Sequence, residues 1–315
     1  MAGRYPRDAG RRRRVRAVVT SADRLLDLAS PVSAPSHGPA PASPTLVIQP
    51  SGRIPRIDVR ELWSYRGLFF FLVWRDIKIR YAQTLLGAGW AIMQPLLTTL
   101  IFTVVFGRMA KVPSDGVPYP VFALAALVPW TYFAAALTSA SNSLVTNTNL
   151  ITKVYFPRLV IPFTAVLSGL VDVAVSFVIL LLALGYYQIV PSPWALLVVP
   201  LLLGAMLLVT AGLGCWLAAL NIQYRDVRYL VPFLLQAWLY LSPVVYPASL
   251  VPDRYRTLYA LNPMVGVIEG FRASLLGRSA LPWSAIGMSV GIGVLLFVSG
   301  ALYFRRTEPV FADVA

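Results

Sequence analysis

From Tyr81 to Gly107 the chain carries no charged residue. A run of that length matches the hydrocarbon core of a bilayer, which takes about 20 helical residues at about 1.5 Å each. With no water there to pair with backbone N–H and C=O groups, such a segment crosses as a helix that satisfies them internally. The first span is expected at about 86–107, with Pro95 inside it, and comparable apolar blocks follow at about 119–141, 159–186, 194–219, 229–247 and 282–304. The composition agrees, with 57% hydrophobic and 13% charged residues, far from a soluble domain. The expected fold class is all-α: a polytopic membrane protein with six transmembrane helices.

Three segments do not fit the spanning pattern. Residues 1–57 hold "RRRRVR" and "ASPVSAPSHGPAPASPT", too poor in apolar side chains to form a core, and read as a disordered basic, Pro-rich cytosolic arm. Residues 58–81 include "RGLFFFLVWR", whose apolar part, Gly67 to Trp74, is too short to cross. An amphipathic interfacial helix is expected there, with Trp63, Tyr65 and Trp74 at headgroup depth and Arg75, Asp76, Lys78, Arg80 and Tyr81 at its polar end. Between the fifth and sixth spans, Pro252 and Pro263 stand at plausible first helical positions, with Asn262 as N-cap and Gly277 past the end. Two short amphipathic helices dipping into the outer leaflet are expected, the second with Met264, Ile268, Phe271 and Leu275 on one face and the pair Glu269 and Arg272 on another. A spanning domain over 82–305 and a cytosolic tail, 306–315, complete the division.

The net charge of +14 would suggest nucleic acid in a soluble protein, but here the basic residues flank apolar runs, which is the signature of topology. Of the 27 lysines and arginines, 21 fall on the side of the N-terminus. Arg108, Lys111, Arg254, Arg256, Arg272 and Arg278 fall on the other. Both termini are therefore expected in the cytosol. One cysteine, Cys215, and one histidine, His37, leave no intrachain disulfide, zinc site or Cys/His catalysis. Neither Lys78, Lys111 nor Lys153 follows a glycine, so no phosphate-cradling loop is present, and no metalloprotease, serine-nucleophile or Asp-x-Asp motif occurs. The chain reads as a non-enzyme with no cofactor or metal of its own.

Two features stand out within the spans. "TNTNLITKVYFPRLVIP", Thr146 to Pro162, is a polar island between the second and third spans, on the side of the termini. Asp172 is the one carboxylate in the middle of a span; burial there costs about 2.5–3.5 kcal/mol on insertion scales, so it needs a partner or a wet cavity. A structural hydrogen bond to a neighbouring helix is one reading, and an ion-coupled carrier or lipid flippase is another. The aromatics Trp90, Trp130, Tyr132, Trp238 and Tyr240 suit lipid contact or packing, and are also faces on which sugar rings stack.

Four motifs, "WRDIKIRYAQTLLGAGWAIMQPL", "KVYFPRLVIP", "NIQYRDVRY" and "LNPMVGVIEGFR", occur in this order and at these depths. Together they make the chain resemble, over about 60–305, the permease subunit of ABC-2 type polysaccharide exporters, the O-antigen, teichoic acid and galactan or capsule exporters of bacterial plasma membranes. The resemblance implies a homodimeric pore, a separate cytosolic ATPase that binds ATP and Mg, and a lipid-linked glycan as cargo. It places a coupling helix at about Asn147 to Arg158, where Thr152, Lys153, Val154, Tyr155, Phe156, Pro157 and Arg158 become candidate ATPase contacts. It places gate helices at about 252–277 but fixes no individual pore residue; the candidate pathway or gate residues are Trp90, Trp130, Tyr132, Asp172, Trp238, Tyr240, Asn262, Glu269, Phe271 and Arg272, read from the residues themselves. An ABC-2 exporter of drugs or small molecules would share these features.

Overall fold

The computed structural model describes residues 63–81, 89–154, 156–308 and 311. The expected arm, residues 58–62 of the interfacial segment, Tyr155 and most of the tail lie outside the described residues. Among those described, every regular element is a helix.

Helix α1, Arg66–Tyr81, buries Leu72 and leaves Phe70, Phe71 and Trp74 exposed. The first span is α2, Gly89–Phe102, which runs on as a π-helical stretch, Thr103–Met109. The second is α3, Tyr119–Thr146, longer than the sequence suggests and buried on nearly every face; Phe122, Phe133 and Leu144 along it are fully enclosed. A short helix, α4 (Thr148–Lys153), follows it.

The third span, expected as one rod, is two helices: α5, Val160–Ser168, and α6, Leu170–Tyr186. The reason lies in a neighbour. The Tyr132 phenol of α3 donates to the Val166 carbonyl at 2.9 Å, and its ring packs so closely on Gly169 that a Cβ there would stand 3.0 Å from it. Val166 also accepts from the Gly169 N–H, three residues on, and the α-helical ladder is interrupted there.

Helix α7, Ala195–Gln223, and α11, Trp283–Thr307, form the fourth and last spans. They cross with their backbones in contact: a Cβ on Gly212 would lie 2.4 Å from the Leu296 carbonyl carbon, and one on Gly300 2.2 Å from the Gly212 oxygen. Small residues serve membrane helices in this way because lipid tails offer no hydrophobic drive, and close backbone approach supplies dispersion instead. Beside the crossing, Trp216 stacks on Tyr303 with ring centroids 4.1 Å apart.

The expected fifth span differs most. Helix α8, Val227–Leu241, has 15 residues, about 22 Å of helix at about 1.5 Å per residue, short of a hydrocarbon core of about 30 Å. Pro243 cannot donate a helical hydrogen bond, and the backbone turns back at Ser242 to Tyr246. Among the described residues, five helical segments are long and apolar enough to cross a membrane, Gly89–Met109 and Val160–Tyr186 counted whole with α3, α7 and α11, and α8 is a shorter apolar sixth.

Beyond the turn come α9, Asp253–Ala260, and α10, Pro263–Leu276. The end signals behave as expected: Asn262 Oδ1 accepts from the Met264 N–H at 3.0 Å, and Gly277 adopts the left-handed conformation with φ of 64°. Two short helices stand where re-entrant or gate helices are expected, and they differ in burial. Helix α9 has no buried residue, whereas α10 is buried on all sides except at Glu269. It is inserted into the protein, where irregular backbone next to it is shielded from lipid.

Candidate functional site

The island forms a knob at one end of the bundle, built on a buried foot. Ile151, Phe156, Leu159 and Val160 enter a cluster with Leu72 of α1, Cys215 and Ala219 of α7, and Phe304 and Phe311 at the far end of the chain. Pro157 is buried as well. Arg158 is half-buried; its guanidinium donates to the Glu308 carbonyl at 2.9 Å and its backbone N–H to Glu308 Oε1 at 3.2 Å. Asn147 does not cap α4 through its side chain. Its amide donates to the Ser143 carbonyl at 2.9 Å and accepts from Arg75 of α1 at 2.9 Å, while Arg75 also holds Asp76 at 2.8 Å. What the knob presents outward is Thr146 and Asn149 together with the candidate contacts Thr152, Lys153 and Val154. Of the seven candidate contacts, Phe156 and Pro157 are thus foot rather than surface, Arg158 ties the knob to the last helix, and Tyr155 is outside the described residues.

Asp172 opens α6 and meets the polar end of α1: Arg80 forms an ion pair with it and the Tyr81 hydroxyl donates to it. Burial, followed by the hydrogen bond to Asp172, pushes the Tyr81 phenol up to about 12, so it remains a donor at neutral pH. Gln94 of α2, Tyr132 and Ser176 line the small cleft beside the carboxylate. The carboxylate is therefore paired, by a residue 92 positions away that local spacing did not reveal. Lys78 stands on the same turn of α1.

The pairing predicts a specific outcome. Arg80 and Asp172 side chains are each about one-third exposed, so their coupling is worth about 1 kcal/mol or less. Arg80→Gln, Asp172→Asn and the double variant, compared for export and thermal stability, are expected to be non-additive, with the double no worse than the poorer single. A carrier that titrates Asp172 would instead lose transport in Asp172→Asn whatever stands at position 80.

At the opposite end, Arg272 of α10 is the most confined charge among the described residues, with a side chain 4% exposed. Its guanidinium donates to the Val244 carbonyl at 2.9 Å, the Tyr246 carbonyl at 3.3 Å, the Phe122 carbonyl at 3.4 Å and Glu269 at 2.9 Å, and lies 3.6 Å from the centre of the Phe122 ring. Two of these acceptors are the carbonyls that the turn after α8 leaves without helical partners. Glu269 in turn accepts from the Ala248 N–H at 3.4 Å; burial pushes its carboxyl upward against the opposing pull of Arg272.

Trp238 Nε1 donates to Asn262 Oδ1 at 2.9 Å, and the Asn262 amide donates to Ser242 Oγ at 2.9 Å and the Leu241 carbonyl at 3.3 Å, binding the end of α8 to the start of α10. Trp238 also meets Phe133 edge-on at 5.1 Å, and Phe133 meets Trp130 at 5.6 Å. A cavity of about 580 Å³ between α8 and α9 is lined by Trp238, Tyr255, Tyr259 and Asn262. Trp130, Tyr132 and Phe271 are core residues, whereas Trp90 and Tyr240 are half-exposed on the surface.

The sequence profile of the ABC-2 type transporter family matches residues 67–276. The chain is similar to the O-antigen export system permease protein RfbA of Myxococcus xanthus, 30% identical over 259 residues that cover 81% of this chain and 98% of that protein. It is 27% identical over 240 residues to the protein of the same name from Klebsiella pneumoniae, covering 76% and 92% of the two. To the polysialic acid transport protein KpsM of Escherichia coli it is 26% identical over 255 residues, covering 76% and 93%.

Proposed function

The chain belongs to the ABC-2 type transporter family, and from that premise we propose that it is the membrane half of an exporter whose cargo is a lipid-linked polysaccharide and whose energy comes from a separate ATPase. The observation that carries the reading is the end-to-end match to an O-antigen export permease, 98% of which is covered. Two copies form the pore, the knob end faces the cytosol of a bacterial plasma membrane, and ATP and Mg are held by the partner.

The charge pattern supports this orientation. Lys153, Arg158, Arg225, Arg228, Arg305 and Arg306 gather at the knob end, besides the basic residues of α1. At the other end Arg272 is consumed by internal hydrogen bonds, leaving Arg108, Lys111, Arg254, Arg256 and Arg278 as its remaining basic residues, of which Arg256 pairs with Asp253. The knob supports the coupling assignment: it is an exposed tip on a foot shared by α1, α7 and the last helix, so a push on the tip reaches three elements through packed side chains.

Lys153→Glu combined with Val154→Asp changes the tip and leaves the foot untouched. It is expected to weaken ATPase co-purification by about thirtyfold, the scale of one interface hot spot, with the melting temperature unchanged. Normal co-purification and export in this variant would remove the knob from the interface. Reconstitution with the ATPase and candidate lipid-linked glycans tests the cargo: hydrolysis stimulated by such a glycan is expected, and stimulation by small drugs alone would favour a drug exporter.

A further inference from the structure

At the knob end, the last turn of α3, the start of α4, the last turn of α7 and the first turn of α8 enclose an open cleft of about 490 Å³. Thr148, Asn221, Arg225, Arg228 and Tyr229 line it. Its wall is fixed: Asn221 is fully buried and its amide donates to the Ser141 carbonyl at 2.8 Å and to Asn142 Oδ1 at 3.0 Å. Its two cations are not engaged. Among the described residues, exposed Arg225 and Arg228 make no ion pair or side-chain hydrogen bond, whereas Arg80 and Arg158 at the same end are both partnered. Asp226, on the same turn, is exposed, is not part of the lining and pairs with neither arginine. Two guanidinium groups three residues apart, converging on a polar cleft, suit a phosphate, whose oxygens accept the planar fork of donors.

A second observation points to what carries the phosphate. From the cleft, Tyr229, Leu230, Phe233 and Leu234 form an exposed apolar stripe along α8. A polar cleft at the foot of an apolar lane has the shape of an amphiphile, with the charged head at the helix end and the chain along the helix. A carboxylate on a partner protein would satisfy the arginines without using the apolar residues that continue from them along α8.

We infer that the cleft holds the phosphate head of a lipid, seated between Arg225 and Arg228 with its chain along α8. Two sources share that chemistry, the pyrophosphate of a polyprenyl glycan carrier and a bulk anionic phospholipid; only the first of these identifications rests on the export reading above.

The experiment uses the full chain in phosphatidylcholine nanodiscs, a polyprenyl pyrophosphate with a photoreactive chain as probe, and saturation of crosslinking as readout. Arg225→Gln with Arg228→Gln is expected to raise the half-saturating probe fraction about tenfold or more, as the loss of charge-assisted hydrogen bonds implies. Arg225→Lys with Arg228→Lys is expected to fall between that variant and the parent. Arg254→Gln with Arg256→Gln, an equal loss of charge at the other end, is expected to stay within about twofold of the parent.

If phosphatidylglycerol at equal fraction displaces the probe, the source is bulk lipid; if a glycan-free polyprenyl pyrophosphate does and phosphatidylglycerol does not, it is the carrier. Equal half-saturation in the parent and the glutamine variant would overturn the inference. So would absence of saturable crosslinking in the parent, or loss of the ATPase or the second copy from the glutamine variant with lipid binding intact. The export reading fails separately, if lipid-linked glycans leave ATP hydrolysis by the parent complex unstimulated.

Discussion

Arg272→Met is expected to cost about 3–5 kcal/mol, the scale on which breaking a buried charge pair falls. Methionine keeps much of the length and bulk of the side chain and removes only its donors. Four acceptors then lose their partner, among them the Val244 and Tyr246 carbonyls of the turn after α8 and the Phe122 carbonyl of α3, and Glu269 loses the cation that opposes the upward push of burial on its carboxyl. Against a total stability of about 5–15 kcal/mol, that loss is large. The check is the melting temperature in detergent, followed by size-exclusion chromatography after heating. Arg272→Lys is expected to recover only part of the loss, because an ammonium is a point charge and cannot fork to four acceptors. Glu269→Gln keeps an acceptor for the guanidinium and is expected to be milder than either. An Arg272→Met protein that melts with the parent would show that the turn after α8 does not depend on this residue.

Phe156→Ala is expected to act at the other end on a similar scale, about 3–5 kcal/mol for a fully enclosed phenylalanine. Phe156 is 4% exposed in the cluster that joins α1, α7 and the last helix to the knob. The helix above it has only six residues, too few to hold its shape alone. The expected result is local opening of the knob, read as faster amide exchange over residues 147–159 and as loss of the ATPase from the purified complex. The contrast with the tip variant is the informative part: Lys153→Glu with Val154→Asp should lose the partner without faster exchange. A Phe156→Ala protein that keeps both slow exchange and the ATPase would contradict the foot-and-tip division.

The long-period features of the fold were legible in the sequence because each is written in consecutive residues. Charge-free runs located α2, α3, α7 and the last helix, and Pro263, Asn262 and Gly277 bounded α10. What escaped depended on side chains that meet from distant positions. The break at Gly169 needs the Tyr132 hydroxyl, and nothing near Gly169 announces it. The Asp172 partner is at the end of another helix. Helix α8 was drawn too long because Val244, Val245 and Tyr246 are apolar, and hydropathy alone cannot tell a spanning turn from a buried non-helical one. Pro243 was the available signal. The knob was visible as a polar island, but its foot was not: Phe156 next to Lys153 looks like contact surface until Leu72 and Phe304 are seen around it. The cleft residues Arg225 and Arg228 were read only as topology markers, and their lack of partners is a fact of geometry.

The division of the third span has a mechanical consequence. The helical hydrogen-bond ladder of the third span is interrupted at Gly169, between α5 and α6, and a break of that kind is where a membrane helix bends most easily. A displacement delivered to the foot of the knob would be expected to bend the span there, and the upper segment need not slide with it. Tyr132, lodged against the break from a helix that is enclosed on nearly every face, is the fixed pin about which such a bend would turn.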